Sequence, residues 1–339
     1  MEDLKIAFSG MGGNFDENNN FITNILRKKY NVVLSEKPDF VFFSQSSKDY
    51  HKYNCVRIFY TAENHVPDFN LCDYGISFQN LSFEDRYIRY PLYLVDDFNP
   101  YAGDDYASDL QLALHKHENV DLSTKTDFCS FVFSNSKAAP CREKLFHALS
   151  EYKPVNSGGR YLNNVGGPVA SKLEFQKKHK FVIAFENTSS PGYTTEKIVG
   201  AFAAGAIPIY WGNPEITKEF NPGSFINCHD FGLTRDGEPE AIERIVEEVK
   251  RLDNDDEAYM AMLRTPAFTE QNDVAKQQQE FEDFLFHIVD QGREKAYRRN
   301  RYYWGERYER KQRIGNQFYW FLAKFLPIRN FFLKVLGKL

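Results

Sequence analysis

The sequence predicts an α/β protein built from two α/β units, and three observations support this prediction. Short apolar runs of the length of buried strands alternate with helical segments along the chain. The stretch Lys180–Trp211 has the order strand, loop, helix, strand, which is one βαβ unit. A chain of 339 residues with 42% hydrophobic and 26% charged residues is ordinary for a globular protein and long enough to bury two cores.

The first unit begins near the start of the chain. Its predicted elements are strand Lys5–Ser9, helix Asn18–Lys29, and strands Val32–Leu34, Phe40–Phe43 and Val56–Tyr60. The glycine-rich segment Gly10–Gly13 follows the first strand, as a dinucleotide-binding loop would. Phe15 stands where such a loop needs its third glycine, so the segment is interpreted as a turn.

The second unit begins near Asp127, after a polar, irregular stretch, Asp96–Thr126, that is interpreted as the crossing between the units. Two of the predicted helices have a recognisable capping or entry residue, Thr194 and Pro140. The predicted elements are strand Phe128–Phe133, a helix entered through Pro140, strand Phe181–Phe185, a helix capped by Thr194, strand Ile207–Trp211, and helices Pro239–Leu252, Glu257–Leu263 and Asp273–His287.

The loop that opens the helix of the βαβ unit has the composition of a ligand site. The first turn of a helix offers unpaired backbone N–H groups and the positive end of the dipole, which favour an anion. Lys197 lies in that turn, where a cation is unfavourable unless an anion compensates it. Glu186 and Glu196 bracket the loop beside Asn187 and Tyr193, residue types that hold sugar hydroxyls. Each residue alone fits an ordinary helix start, but together they favour a binding site.

A second candidate site follows strand Val56–Tyr60. Glu63 lies just past its end, where a parallel sheet presents catalytic side chains. The ordinary alternative is a loop carboxylate in water. Further along the chain, Arg86, Tyr87 and Arg89 either frame the same cleft or belong to a salt-bridged surface hairpin.

These motifs resemble those of a known family. FENTSSPGYTTEK at residues 185–197, followed by AGAIPIYWGNPEI at 204–216, is similar to the donor-binding motif of the α-1,3-fucosyltransferases, glycosyltransferase family 10. The resemblance extends from about Val56 to about Asp230 and is strongest to bacterial members that build Lewis-type and milk-type fucosylated glycans. It implies a GT-B fold, in which two Rossmann-like α/β domains face each other across a cleft.

The resemblance also implies a reaction. L-Fucose would pass from GDP-β-L-fucose, with inversion, to a hydroxyl of an oligosaccharide acceptor, O3 of N-acetylglucosamine or glucose, in glycan or lipopolysaccharide biosynthesis. Glu63 would be the general base that takes a proton from the acceptor hydroxyl. Glu196 would hold ribose or fucose hydroxyls or stabilise an oxocarbenium-like centre.

The resemblance places the donor-binding residues in the second unit. The family has a phosphate-binding arginine at the position of Arg142, so Arg142 and Lys197 would bind the diphosphate of the donor. Asn187 and Tyr193 would position the donor beside Glu196. The candidate catalytic residues are therefore Glu63 and Glu196, and the candidate donor-binding residues are Arg142, Asn187, Tyr193, Glu196 and Lys197.

Two other functions are compatible with these residues. A different inverting GT-B enzyme with another nucleotide sugar would share the same cations. A non-catalytic glycan-binding relative would need only the surface, although the intact set of Glu63, Arg142, Glu196 and Lys197 argues against it. The acceptor and the choice between α-1,3 and α-1,4 linkages are left open by the sequence.

No metal ion or other resident cofactor is expected, since GDP-fucose is the donor substrate and the charges come from protein groups. Asp253-Asn254-Asp255 has the DxD form, but no strand precedes it, and it is interpreted as a solvated run of charge. An added divalent ion is expected to stimulate modestly at most. The five cysteines lack CxxC spacing, which argues against a zinc site and, with no signal-peptide pattern, favours a reducing cytoplasm.

Three segments are predicted: an acceptor-binding domain at 1–126, a GDP-fucose-binding domain at 127–290 and a basic, aromatic tail at 291–339. The tail carries 13 Lys and Arg residues against 3 Asp and Glu residues. Its last part, Phe318–Leu339, mixes bulky apolar residues with four cations, which is too much charge for a membrane span.

The tail is instead expected to be amphipathic and to lie on an anionic membrane surface. The alternatives are RNA binding and a helix packed back on the enzyme. The preferred hypothesis is a peripheral protein on the cytoplasmic face of the inner membrane, with no nucleic-acid partner.

Overall fold

The structure, a computed structural model, describes residues 2–12, 15–95, 108–118, 120, 122–300 and 302–325. Its first sheet has six strands: β1 (Asp3–Ser9), β2 (Asn31–Leu34), β3 (Phe40–Phe43), β4 (Val56–Tyr60), β5 (Tyr74–Ser77) and β6 (Tyr87–Arg89). All neighbouring strands are parallel, in the order β2-β1-β3-β4-β5-β6. Strands β3, β4 and β5 are buried at every position, as is typical of the central strands of a parallel sheet.

The second sheet has five strands: β7 (Asp127–Phe131), β8 (Val155–Ser157), β9 (His179–Phe185), β10 (Ile207–Trp211) and β11 (Ile226–Asn227). They are also parallel, in the order β11-β10-β9-β7-β8. Helices surround both sheets: α1 (Phe21–Arg27), α2 (Asp109–Leu114), α3 (Cys141–Tyr152), α4 (Lys172–Gln176), α5 (Glu196–Ala203), α6 (Pro239–Asp253), α7 (Asp256–Arg264), α8 (Val274–Asp290), α9 (Gly292–Ala296) and α10 (Tyr303–Ala323).

Both sheets have the same doubly wound order. The first strand in sequence lies between the second strand, which is at the edge of the sheet, and the third strand, which is toward the middle. The order reverses between β1 and β3 and between β7 and β9. Ligands of such sheets bind in the crevice beyond the carboxyl ends of the strands at these points. Two parallel α/β sheets confirm the predicted GT-B architecture.

The two carboxyl edges approach each other. The Asn64 side chain, in the loop after β4, donates a hydrogen bond of 2.8 Å to the hydroxyl of Thr188, in the loop after β9. The hydroxyl of Tyr193 donates across the same gap to Glu63 Oε2 at 3.4 Å. The loops that carry the predicted base and the predicted donor motif therefore line one cleft.

The helices do not divide cleanly between the sheets. α2 packs on α5, and α8 packs on α1 of the first unit. The Lys29 side chain forms an ion pair of 2.6 Å with Asp290 at the end of α8. The larger hydrophobic core accordingly contains side chains of both units. The predicted boundaries near residues 126 and 290 remain predictions.

The start of the tail packs on the first sheet. The buried carboxylate of Asp73 accepts backbone N–H groups of Arg298 and Arg299 at 2.7 Å each, and it pairs with the Arg299 guanidinium. Arg57 in β4 pairs with Glu309 in α10 at 3.0 Å. The first part of the tail thus packs on the folded body.

The end of the tail is different in character. Within the described residues, its large apolar side chains are more than half or nearly half exposed: Ile314, Phe318, Tyr319, Phe321, Leu322 and Phe325. Of the predicted membrane-surface segment Phe318–Leu339, only 318–325 belong to the described residues. In the described part of the chain, no helix has the length and apolar character needed to cross a bilayer.

Several local predictions need correction or fall outside the described residues. Residues 87–89 form the parallel edge strand β6, so of the two alternatives given for Arg86, Tyr87 and Arg89 the surface hairpin is wrong. Gly10 is in a left-handed turn with φ of 74°, as expected for the segment after β1, whereas Gly13 is not described. Of the predicted crossing, residues 96–107, 119 and 121 lie outside the described residues.

Candidate active site

Glu186 organises the start of α5. It follows β9 directly, and its side chain is fully buried. One carboxylate oxygen accepts the backbone N–H of Thr195 at 2.7 Å and its hydroxyl at 2.9 Å. Thr195, not the predicted Thr194, is the N-cap residue, and its own side chain makes no capping bond. The carboxylate of Glu186 therefore satisfies the backbone N–H of the N-cap residue, which is one of the free N–H groups at a helix start.

Lys197 is paired within the protein. Its Nζ lies 3.0 Å from Glu186 Oε2 and 3.7 Å from Glu196 Oε1. Burial opposes its charge, but these two carboxylates outweigh burial and raise the pKa of Lys197 above its ordinary value. The cation predicted to need an anion at this helix start thus already has one, and 16% of its side chain remains accessible.

Glu196 is the first residue of α5 and is partly exposed. Burial raises the pKa of its carboxyl, but Lys197 and Lys172 outweigh burial and lower the pKa below its ordinary value. Glu196 is therefore an ionised, accessible carboxylate beside a protonated lysine.

Arg142 has no such compensation. It lies in the first turn of α3 and is only 1% exposed. Its guanidinium lies 4.2 Å from the centre of the Phe133 ring and donates to the carbonyl of Asn135 and, at 3.5 Å, to Asn187 Oδ1. Its buried Nε has no hydrogen-bond partner, and Arg142 forms no ion pair with any described residue. Burial lowers its pKa to about 10, so it is still charged at neutral pH.

Arg142 and Asn187 lie at the topological switch point of the second sheet. Asn187 follows Glu186 in the loop after β9, and its carbonyl accepts the N–H of Ala139 at 3.1 Å. Its side chain contacts both Arg142 and Asn135, which belongs to the loop after β7. The two loops that flank the reversal between β7 and β9 therefore meet at these residues.

Tyr193 and Glu63 connect the two halves of the cleft. The Tyr193 side chain is buried, with its ring 4.8 Å from that of Phe78 in the first unit. Its hydroxyl reaches Glu63, which is exposed. The backbone N–H of Glu63 donates to Thr61 Oγ1 at 3.0 Å, which holds the base loop near the end of β4. The structure thus brings the six residues predicted from sequence into one region, while their roles remain predictions.

An ion pair between the units was not predicted. Arg89 in β6 pairs with Glu219 of the second unit and donates to the carbonyl of Gly192 at 3.0 Å. Glu219 accepts the hydroxyl of Thr194 at 3.0 Å. Asn213 accepts the N–H of Gly192 at 2.8 Å. The loop around Tyr193 is therefore fixed from both sides of the cleft.

Only one of the three residues named around β6 contributes to the site. The Arg86 side chain donates to the carbonyls of Phe69, Cys72 and Asp73, so it supports a loop of the first unit. Tyr87 donates to the carbonyl of Gln79 at 2.8 Å. Glu219 was absent from the predicted site, and Glu186 was predicted to bracket the loop but was given no role of its own.

The DxD sequence is structural rather than solvated. The Asp253 side chain is only 3% exposed, and it pairs with Lys180 at 2.9 Å and with Lys153. Asp255 caps α7 by accepting the N–H of Ala258 at 2.9 Å. The prediction of a solvated run is therefore wrong for Asp253. The described residues contain no cluster of three or more His, Cys, Asp or Glu side chains arranged to hold a metal ion.

Comparison with known proteins gives matches over most of the chain. Residues 6–96 match the family model for the α-(1,3)-fucosyltransferase FucT N-terminal domain. Residues 122–311 match the model for the C-terminal part of glycosyltransferase family 10 (fucosyltransferase). The α-(1,3)-fucosyltransferase FucT of Helicobacter pylori is 37% identical over 294 residues, which cover 77% of this chain and 59% of that protein. An α-(1,4)-fucosyltransferase of Arabidopsis thaliana is 29% identical over 198 residues, covering 52% of this chain and 45% of that protein.

Solved structures agree with the sequence matches. A crystal structure of an α1,3-fucosyltransferase with GDP-fucose superposes with a TM-score of 0.63 at 32% identity, covering 84% of this chain and 91% of that chain. The structure of an α1,3-fucosyltransferase with GDP gives a TM-score of 0.64 at 33% identity, covering 84% and 90%. Because the family models span both sheets and the loops that form the cleft, the chain belongs to glycosyltransferase family 10.

Proposed function

We propose that the protein transfers L-fucose from GDP-β-L-fucose to an oligosaccharide hydroxyl, O3 of N-acetylglucosamine or glucose, forming an α-1,3 linkage with inversion. The observation that carries the proposal is Arg142, a buried guanidinium with no anionic partner in the described part of the chain, at the switch point of the second sheet. A buried charge without a partner is costly, and a diphosphate supplies the missing anion. The similarity to solved α1,3-fucosyltransferases with GDP-fucose and GDP supports the identity of the donor.

In this proposal, the donor binds at the N-terminal ends of α3 and α5. Arg142 binds the diphosphate directly through its guanidinium. Lys197 adds positive charge from its accessible end, while Glu186 keeps it in place. Asn187 holds the Arg142 side chain and contacts the nucleotide, and Tyr193 positions the sugar next to Glu196.

The reaction is a direct displacement at the anomeric carbon. Glu63 takes the proton of the acceptor hydroxyl as its oxygen forms the new bond to that carbon. The bond between the carbon and the diphosphate oxygen breaks at the same time, and its electron pair leaves with GDP. Arg142 and Lys197 stabilise the leaving group, and the ionised Glu196 stabilises positive charge on the fucose ring.

The proposal requires no resident metal ion or cofactor, because two protein cations serve the leaving group. EDTA is therefore expected to leave most of the activity, with modest stimulation by Mn²⁺ at most. Initial rates of GDP release in EDTA, with and without added Mn²⁺, test this. Complete loss of transfer in EDTA with recovery in Mn²⁺ would contradict the proposal.

We further propose that the acceptor belongs to glycan or lipopolysaccharide synthesis and that the enzyme works at the cytoplasmic face of the inner membrane, on an anionic surface. The exposed apolar side chains near the end of α10 and the cations interspersed among them support this. No nucleic acid takes part in the proposed function. The match spans only 59% of the length of the Helicobacter pylori relative. The acceptor and the location of the enzyme are therefore proposals for this chain.

The decisive experiment is a GDP-release assay with GDP-fucose and a panel of acceptors, followed by NMR of the product. The expected result is transfer to lactose or N-acetyllactosamine with an α-1,3 linkage. Parallel assays with GDP-mannose and UDP-galactose separate this function from another nucleotide-sugar transferase. Binding of glycans without release of GDP or UDP from any donor would show that the protein is a glycan-binding relative.

A further inference from the structure

Gln45 lies in the loop after β3, next to the loop that carries Glu63. Its side chain is exposed, and its Oε1 lies 2.9 Å from Thr61 Oγ1. The same hydroxyl accepts the backbone N–H of Glu63 at 3.0 Å. Two successive hydrogen bonds through the buried Thr61 therefore connect the Gln45 carboxamide to the proposed general base.

These bonds determine which end of the carboxamide faces outward. Thr61 Oγ1 accepts the N–H of Glu63, and its single hydrogen lies within reach of Gln45 Oε1 at 2.9 Å and of the Glu63 carbonyl at 3.1 Å, with the shorter bond to Gln45. The NH₂ group of Gln45 is thus the end turned away from Thr61, and it donates to no described residue. An exposed amide donor that is oriented through its oxygen is well suited to bind a polar ligand.

The loop around Gln45 is held firmly. The hydroxyls of Ser9 and Ser47 are 2.6 Å apart, and the Ser44 hydroxyl donates to the carbonyl of Gly10. A Cβ atom on Gly10 would lie 2.2 Å from the backbone nitrogen of Ser47, so the two loops touch. Gln45 therefore extends from a rigid base at the point where the order of the first sheet reverses, which is the ligand crevice of that sheet.

We propose that Gln45 is an acceptor-contacting residue that determines specificity in the fucosyl transfer proposed above. In an acceptor attacked at O3, the neighbouring carbon 2 carries a hydroxyl in glucose and an acetamido group in N-acetylglucosamine. The NH₂ group of Gln45 donates to the acetamido carbonyl, which only accepts hydrogen bonds. A hydroxyl at the same carbon is a shorter group and does not reach as far. Gln45 therefore favours N-acetylglucosamine acceptors over glucose acceptors.

The test compares N-acetyllactosamine with lactose, which differ in this one group. In Gln45→Ala, the ratio of kcat/KM for N-acetyllactosamine to that for lactose is expected to fall by about threefold to tenfold, the size of one neutral hydrogen bond. The KM for GDP-fucose and the slow hydrolysis of GDP-fucose without acceptor should not change. Ser46→Ala, an exposed neighbour in the same loop, is the matched control and should keep the wild-type ratio.

The variant Gln45→Glu distinguishes a direct contact between Gln45 and the acceptor from a role in supporting the loop of Glu63. Glutamate keeps the oxygen that accepts from Thr61 but replaces the NH₂ donor, so its acceptor ratio should fall as it does in Gln45→Ala. Any effect of its charge on Glu63 acts equally on both acceptors and cancels in the ratio. A wild-type ratio in Gln45→Ala, or a wild-type ratio restored by Gln45→Glu, overturns the proposal and leaves Gln45 only a support of the base loop. If the wild-type protein transfers no fucose to any acceptor, the proposed function itself fails, which is a different result.

Discussion

Arg142 combines near-complete burial with the lack of an ion-pair partner in the described part of the chain. Folding therefore bears the desolvation cost of a charge that no contacting carboxylate among the described residues compensates. Lys197 differs from Arg142, because its charge is compensated by the carboxylates of Glu186 and Glu196. Residues that cost stability are commonly those that bind a ligand, because their missing partner is the ligand.

The first prediction is that Arg142→Met loses GDP affinity without losing stability. Charge-assisted hydrogen bonds to a phosphate contribute about 1.5–3 kcal/mol each, so the Kd for GDP should rise by at least about tenfold. Methionine fills much of the same volume and removes the unpaired charge, so the melting temperature should stay level or rise. Calorimetric titration with GDP and a thermal melt measure the two effects.

Arg244→Met, which removes a surface arginine that rests on the Phe231 ring, is the control for loss of one positive charge. It should leave GDP affinity as it is in the wild type. If Arg142→Met instead melts far below the wild type and still binds GDP normally, Arg142 is a structural residue and the donor site lies elsewhere.

The second prediction concerns Glu63. Glu63→Ala should lower kcat by about 10²–10⁴-fold, the usual effect of removing a positioned base, while GDP affinity remains close to wild type. The residue is exposed, so the melting temperature should change little. Initial rates with a soluble acceptor, beside calorimetry with GDP, provide the comparison.

Glu36→Ala, an exposed carboxylate after β2, is a suitable control, because it lies far along the chain from any candidate site residue. Near-wild-type turnover in Glu63→Ala would remove this residue from the mechanism. The deprotonation step would then have to be assigned to another group in the cleft.

At the scale of elements, prediction from sequence succeeded where structure is local. Strands β4 and β10 have the predicted bounds, because strands buried on both faces are mostly apolar in sequence. β6 was missed, since its three residues include Arg89 and its pairing with β5 joins segments that no local pattern connects. The cap of α5 was also misplaced by one residue, because a distant carboxylate, Glu186, serves the helix start.

The candidate site shows the same division. The sequence identified residues whose type and position after a strand carry chemical meaning, such as Glu63 and Glu196. It did not identify the contacts that hold them, since Arg89 and Glu219 are separated by 130 positions in the sequence. Such pairs depend on how the two sheets face each other, which local patterns do not encode.

The third prediction tests this connection between elements. Arg89→Gln or Glu219→Gln alone should destabilise the fold and raise the KM for GDP-fucose, because the remaining buried charge is unpaired and the loop at Gly192–Thr194 loses an anchor. The cost should be below the roughly 3–5 kcal/mol of a fully buried pair, since 20% of the Arg89 side chain is exposed.

A double-mutant cycle measures the interaction free energy between Arg89 and Glu219. The double variant, Arg89→Gln with Glu219→Gln, should be less destabilised than the sum of the single variants, because neither charge is then left alone. Urea unfolding measures the free energies. Simple additivity would mean that the two side chains do not interact in solution and that the Tyr193 loop is held by other contacts.

At the scale of the whole molecule, the two sheets are tied together by the segments that follow them in sequence. α8 returns to the first unit, and residues 298–309 bury Arg299 against Asp73 and pair Glu309 with Arg57. A GT-B enzyme must keep the relative orientation of its two domains while donor and acceptor bind between them. These returning segments provide a connection that does not pass through the cleft.

The last prediction separates the two parts of the tail by truncation. Removal of residues 318–339 leaves the contacts of Tyr308 and Glu309 intact, so transfer to a soluble acceptor and the melting temperature should stay close to wild type. Binding to anionic vesicles should be lost, since each of the four cations removed contributes about 1 kcal/mol near such a surface. Vesicle co-sedimentation at two salt concentrations and a thermal melt on the same protein measure both effects.

Removal of residues 298–339 is the matched comparison. It takes away the backbone donors of Arg298 and Arg299 and the Arg299 guanidinium, which leaves the buried Asp73 carboxylate with only the N–H of Arg57 at 2.7 Å among the contacts described here. A buried carboxylate stripped of its partners is strongly destabilising, so this variant should melt far lower or fail to fold. If the shorter truncation already lowers the melting temperature sharply, and the full-length protein ignores vesicles, then residues 318–339 pack on the enzyme and the membrane role is wrong.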